Sequence, residues 1–288
     1  MNTGEQKTAV IYRPFERFDK NVISCFIGLC AASVRSRELI FQLARREFFA
    51  EYKVSFIGGF WIILSPLAAV VSWLFLHRAH ILRAGDVGVP YAAYVLIGST
   101  MWGFFMSLYR TASITLQSSR YLIMNIALPH EAVFVAPMLV KAVDFAFSVL
   151  ITAAVIAFFG IVPSWHALLL PLVVVPLFLF SASIGLIACL ISAVSYDFSR
   201  ALSYILGLVM FATPVVYSLD AIGSRWLRLV VMCNPLTYLV CSARDIILFG
   251  TLYYPGRFFV SSAAALCMFI FAWRVFYITE NRIVERML

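Results

Sequence analysis

Few residues in this chain have a type and spacing suited to chemistry. His77 and His80 lie three apart, and His130 and His166 are isolated. No HExxH, CxxC or carboxylate–histidine cluster occurs, so no metal site is expected. No G-x-S-x-G motif presents a serine nucleophile. No G-x-x-x-x-G-K-[ST] motif is present to cradle phosphates, so the chain is expected to carry no ATP site and no cofactor of its own. Asp220, Asp245 and His130 have acid–base side chains, but nothing in the sequence clusters them. Lys141 and Asp144 fall three apart on one helical face, where they can neutralise each other. That pairing is favoured over a proton relay, which needs a longer series of buried ionisable groups. No catalytic residue is assigned.

The elements that must position these residues belong to a membrane protein. The chain has 288 residues, 63% hydrophobic and 12% charged, with a mean hydropathy of +0.94. Soluble domains average nearer half apolar and a quarter charged, so an ordinary soluble enzyme and a disordered chain are both excluded. The six cysteines suit small core positions better than a disulfide framework. Cys233 and Cys241 are expected as free thiols, because eight helical residues place them about 12 Å apart. Six stretches are long enough to cross about 30 Å of hydrocarbon. They run Val54 to Leu76, Tyr91 to Tyr109, Ala132 to Phe159, Ala167 to Val194, Ala201 to Ser218 and Phe258 to Ile278. The expected fold is therefore all-α and polytopic, with six transmembrane helices.

The net charge of +8 follows the positive-inside rule. Fourteen Lys and Arg fall on the side of the N-terminal segment and six on the other, while Lys141 and Arg274 lie within spans. Both termini are thus expected in the cytoplasm. Arg274, near the inner end of its span, can snorkel to the headgroups. Residues 35–53 carry Ile40, Leu43, Ala44, Phe48 and Tyr52 at helical spacing, with Arg35, Arg37, Arg45, Arg46, Glu47, Glu51 and Lys53 in much of the rest. They predict an amphipathic interfacial helix leading into the first span. The apolar segment Val22 to Val34 is too short to span, and the acidic residues before it argue against a cleaved signal. It is expected to pack at the interface. Leu219 to Pro255 holds apolar runs broken at Asn234-Pro235, Arg244-Asp245 and Gly250. It reads as a re-entrant or interfacial helical hairpin between the last two spans. The expected organisation is a cytoplasmic segment 1–53, a membrane domain 54–278 and a cytoplasmic tail 279–288.

Three segments carry a family resemblance. The first, RREFFAEYKVSFIGGFWIILSP, holds Arg45, Arg46, Tyr52, Ser55, Gly58, Trp61 and Pro66. The second is LPHEAVFVAP at 128–137, and the third is NPLTYLVCSARDIILFG at 234–250. In this order they resemble the permeases of ABC-2 type transporters, and most closely the exporters of O-antigen, capsule or teichoic-acid chains.

The resemblance implies a homodimer of six-span subunits in a bacterial inner membrane, with two ATP-binding cassette subunits docked on its cytoplasmic face. ATP and Mg would be bound by those partners. The expected cargo is a lipid-linked glycan, the expected surroundings are membrane lipid, and no nucleic acid is involved. Spans one, two and five line the pathway in that family. Aromatic rings can hold apolar sugar faces by tolerant stacking, as they hold bases. The candidates are Trp61, Trp73, Trp102, Phe104, Phe105, Tyr109, Tyr204, Phe211 and Tyr217. Arg45, Arg46 and Lys53 are candidates for attracting a lipid phosphate, a task suited to the planar guanidinium fork. Their positions are equally explained by cytoplasmic orientation. The loop Thr111–Glu131 could couple to the ATPase through Ser113, Gln117, Arg120 and Glu131, and a smaller contact could come from Arg200. Glycines and prolines in spans one, two and five permit close approach and kinks. Three other readings stay open: an ABC-2 exporter of a drug or small lipid, a membrane-embedded glycosyl- or acyltransferase, and a passive channel or scaffold.

Overall fold

The structure is a computed structural model that describes residues 22–53, 60–79, 85, 87–121, 129–161, 163–192 and 196–287. Every regular element among them is helical. In chain order they are α1 (Val22–Arg35), α2 (Arg37–Lys53), α3 (Phe60–Arg78), α4 (Tyr91–Ser118), α5 (His130–Phe158), α6 (Leu170–Ser192), α7 (Tyr196–Val209), α8 (Arg225–Cys233), α9 (Pro235–Phe249) and α10 (Pro255–Met287). Four of these helices are long and apolar enough to cross a membrane, namely α4, α5, α10 and the α6 span from Trp165. The bent pair α8–α9 would make a fifth span if counted as one. At 19 residues α3 is about 28 Å long, close to the hydrocarbon thickness. Residues 54–59, where the first span was expected to begin, lie outside the described set.

The centre of the bundle is the α4–α6 pair, and α10, α5 and α9 pack around it. Small residues let these backbones approach, as in lipid, where water does not drive helices together. A Cβ on Gly185 of α6 would collide with Ala112 of α4 and sit 3.0 Å from the Tyr109 carbonyl. Close by, the Ser181 hydroxyl donates to the Phe105 carbonyl at 2.5 Å. Thr100 and Thr152 share a hydrogen bond between α4 and α5 at 3.0 Å. Leu139, Val143, Phe147 and Leu150 of α5, with Phe259, Val260 and Phe271 of α10, point outward as a lipid-facing surface would.

Three expectations change. The fifth span is not a continuous helix. After 14 residues, about 21 Å, α7 ends at Val209, passes through a 3-10 turn at Met210–Ala212, and runs on as non-helical chain. Hydropathy alone did not register this break because 210–218 is itself apolar. Second, α4 continues past Tyr109 to Ser118, so the first half of the expected cytoplasmic loop is helix. Residues 122–128 of that loop lie outside the described set. Third, α2 is not held by headgroups alone. Its apolar stripe of Leu39, Ile40, Leu43 and Ala44 packs on Ala132, Val135 and Ala136 of α5. Further along both helices, Glu51 meets Lys141. The two helices therefore run parallel. The short apolar helix α1 in turn packs on α10 and α5.

Candidate functional site

The break where the fifth span was expected exposes backbone that a helix would have satisfied. Carbonyls left unpaired at membrane depth cost several kcal/mol each in hydrocarbon, so protein must supply the donors. It does so from two sides. On α4, the Tyr91 hydroxyl donates to the Val216 carbonyl at 3.0 Å, and the Tyr94 hydroxyl donates to the Tyr217 carbonyl at 2.9 Å. From the hairpin, the Asn234 amide donates to the Ala212 carbonyl at 3.1 Å and to the Thr213 hydroxyl at 2.9 Å. The Arg244 guanidinium donates to the Pro214 carbonyl at 2.8 Å. The non-helical stretch also presses on α4, where a Cβ on Gly98 would collide with the Val215 carbonyl.

Local sequence explains the hairpin that delivers these donors. Asn234 caps α9 by accepting from the Leu236 N–H at 3.0 Å, and Pro235 occupies the first turn, where a missing N–H costs nothing. Gly250 ends α9 in the left-handed region at φ +69, where glycine carries no steric penalty. A Cβ there would also strike Ser164 and His166 at the head of α6. The axes of α8 and α9 meet at 81° across Asn234. The two short helices have opposite characters. Residues Leu236 to Ile247 of α9 are buried among α4, α6 and α10, whereas α8 presents Trp226, Leu227, Leu229 and Val230 outward. The hairpin thus sets one short helix inside the protein and the other at its surface. The carbonyls that end α8 are held by Thr237, Tyr238 and Arg257.

Arg244 is 5% exposed and stacks over the Tyr94 ring, with its carbon 3.8 Å from the ring centroid. It also donates to the Cys241 sulfur at 3.2 Å. Among the described residues no carboxylate lies within 4 Å of it, and its Nε–H has no partner. Cys233 and Cys241 are both free thiols, the former exposed and the latter buried.

A second cluster lies at the other end of the bundle. Lys141 of α5 contacts both carboxylate oxygens of Glu51 on α2, at 2.6 and 2.7 Å, and Asp144 at 3.2 Å. Its side chain is only 13% exposed. The expected Lys141–Asp144 pair is therefore two members of a triad. The sequence offered no signal for Glu51, because its approach depends on how α2 packs. Burial pushes the nearby Glu47 carboxyl up, against the opposing pull of Arg46 and Lys141.

The nine candidate pathway aromatics separate sharply. Phe105 and Tyr109 are fully buried in the subunit's own core, and Trp102 and Phe104 nearly so. Phe104 stacks on Phe145 at 4.0 Å, and the Tyr109 hydroxyl donates to the Ser199 carbonyl at 3.0 Å. These four rings hold α4 to α5, α6 and α7 and offer no free face to a cargo. Tyr204 and Phe211 are exposed, at 79% and 58%. Trp73 and Tyr217 are half-buried, and Trp73 meets Phe211 edge-on at 6.5 Å. The side chain of Trp61 lies outside the described set, as does that of Lys53. Arg45 and Arg46 are exposed, and Arg45 lies 5.9 Å over Phe49.

The expected coupling residues divide similarly. Ser113 is buried and bonds back to the Arg110 carbonyl. Gln117 donates to the Ser192 carbonyl at 2.9 Å, joining the ends of α4 and α6. Arg120 and Arg200 are exposed, and Glu131 is half-buried in the first turn of α5.

Comparison with known proteins bears on what this arrangement is for. Residues 38–248, from α2 to the end of α9, match the ABC-2 type transporter family. The chain belongs to that family. The permease is similar to the O-antigen export system permease protein RfbA of Myxococcus xanthus, 26% identical over 211 residues that cover 73% of this chain and 80% of that protein. Two Klebsiella pneumoniae proteins of the same name are 21% and 22% identical, each match covering 75% of this chain and 83% of theirs. All three of these relatives are named as O-antigen export permeases. The matched region contains the whole break in the fifth span and the hairpin that braces it.

Proposed function

We propose that the permease is the membrane half of an ATP-driven exporter that moves a lipid-linked polysaccharide out of the cytoplasm across a bacterial inner membrane. It works as a homodimer with two separate ATP-binding cassette subunits, which bind ATP and Mg. The observation that carries this reading is the family match together with relatives named as O-antigen export permeases. The braced break agrees with it, since irregular backbone at membrane depth is tolerated where it is buried in protein or lines a watery cavity.

In this reading the exposed rings of Trp73, Tyr204 and Phe211 on α3, α7 and the 3-10 turn form the surface that a second subunit and a passing glycan share. The cytoplasmic ends of α4 and α5, with Gln117, Arg120, Glu131 and Arg200, receive the ATPase. Arg45, Arg46 and Lys53 attract the phosphate of the lipid carrier.

The deciding experiment is mild isolation from the native membrane followed by mass spectrometry. The expected result is an equimolar P-loop subunit whose ATPase activity rises with lipid-linked glycan. Isolation without any ATPase across several mild detergents would refute the proposal.

A further inference from the structure

A cavity of about 410 Å³ opens at the end of the bundle opposite α2, lined among others by Tyr94, Ser218, Asp220, Arg244, Asp245 and Tyr254. Its volume falls within the ordinary range for small-ligand sites. The cavity is walled by the chain that leads into α4 and its first turn, the chain after the break that follows α7, one face of α9, and the loop between α9 and α10.

Its polar groups are incompletely used. Arg244 is buried, yet its Nε–H has no partner. The Ser218 hydroxyl is buried and likewise unpartnered. A buried donor without an acceptor costs about 1–3 kcal/mol, and both atoms belong to residues that line the cavity. Asp245 is 7% exposed, and Asp220 at the rim is open to solvent apart from a 3.8 Å contact with Arg228.

This donor and acceptor set narrows the ligand. Two carboxylates and one guanidinium disfavour a phosphate or an acidic sugar, because the carboxylates would repel it. The same set suits vicinal hydroxyls, which donate to a carboxylate and accept from a guanidinium at once. The Tyr254 ring adds a face of the kind that stacks on apolar sugar surfaces. We infer that this cavity is a binding site for one or two neutral sugar residues. Choosing a sugar over another polyol rests on the exporter reading above. The site lies against the break itself, since the guanidinium that would meet the sugar also holds the Pro214 carbonyl.

The test uses the full-length permease in lipid nanodiscs and saturation-transfer NMR. The probes are the methyl glycosides of glucose, galactose, mannose and rhamnose, with methyl glucuronide and inorganic phosphate as charged counterparts. Asp220→Asn and Tyr254→Ala are suitable variants, because both residues sit at the exposed rim and their loss leaves the buried brace intact. The expected result is transfer to at least one neutral glycoside, weakened about fivefold in Asp220→Asn, as for one lost hydrogen bond, and weakened also in Tyr254→Ala, with the thermal midpoint of both variants unchanged. Transfer to none of the neutral glycosides, equal transfer in the variants, or preference for glucuronide or phosphate would overturn the inference. Surface glycan is measured in parallel on cells carrying the wild-type permease. Surface glycan without saturation transfer removes the cavity and leaves the exporter standing, whereas transfer without surface glycan supports the cavity and removes the exporter.

Discussion

Replacing Asn234 tests whether the hairpin braces the broken span or merely caps a helix. Its side chain does two things: Oδ1 caps α9, and Nδ2 donates to the Ala212 carbonyl and the Thr213 hydroxyl. Asn234→Ala loses the cap, about 1 kcal/mol. It also leaves the half-buried Ala212 carbonyl without its donor, about 1–3 kcal/mol. The expected cost is about 2–4 kcal/mol, or several degrees in thermal midpoint for a chain of this size. Asn234→Asp separates the two roles. Aspartate caps helices as well as asparagine does, so a simple cap predicts little change. A brace predicts the opposite, because a carboxylate would face the Ala212 carbonyl, acceptor against acceptor. Thermal unfolding of the three proteins in nanodiscs, followed by tryptophan fluorescence, decides the matter. Asn234→Asp should be at least as unstable as Asn234→Ala. An Asn234→Asp protein with the wild-type midpoint would refute the brace.

Other parts of the structure are open to similar tests. Gly98→Ala should lower both stability and export by forcing the Val215 carbonyl aside, while Gly103→Ala, which meets nothing within 4 Å, should change neither; thermal midpoints and surface glycan read both. Phe105→Ala should cost about 3–5 kcal/mol as a truncation in the core, whereas Tyr204→Ala should unfold like wild type yet export less glycan. Lys141→Met should destabilise more than Glu51→Gln, because it leaves Glu51 and Asp144 facing each other without a cation. A double-mutant cycle on thermal stability should show coupling between Lys141 and Glu51.

The membrane character, the helical class and the family were all legible in the sequence. Hydropathy reports them directly, since a run of about 20 apolar residues has little option but to span. The segment 234–250 was legible too, and its local logic holds: Asn234 caps, Pro235 starts the helix and Gly250 stops it. Arg244 stood out in the sequence only as a charge interrupting an apolar run, and Asp245 as that and as an unclustered acid–base side chain. Their placement on a buried helix, with Arg244 stacked on Tyr94 and bonded to Pro214, joins residues 30 and 150 positions apart. No local pattern encodes such contacts. The break after Val209 escaped notice for a related reason. A span that stops part-way stays apolar when protein rather than water satisfies its backbone, and those donors come from α4 and α9.

The aromatic residues show the same limit most clearly. Composition and spacing put Phe105, Tyr109, Tyr204 and Phe211 on suitable spans but carried no information about which face each would present. Lipid and protein interior are equally apolar, so a membrane helix lacks the polar stripe that orients a helix in water. Packing alone decided that Phe105 and Tyr109 fill the core while Tyr204 and Phe211 are exposed. It also decided that Glu51 of the amphipathic helix meets Lys141 of a span. Apolar length, cap residues and the absence of an ATP motif are properties of contiguous sequence, and the chain alone determined them. Which carbonyl each buried side chain satisfies, and which rings remain exposed, depends on contacts between distant segments, and only the tertiary structure decided these.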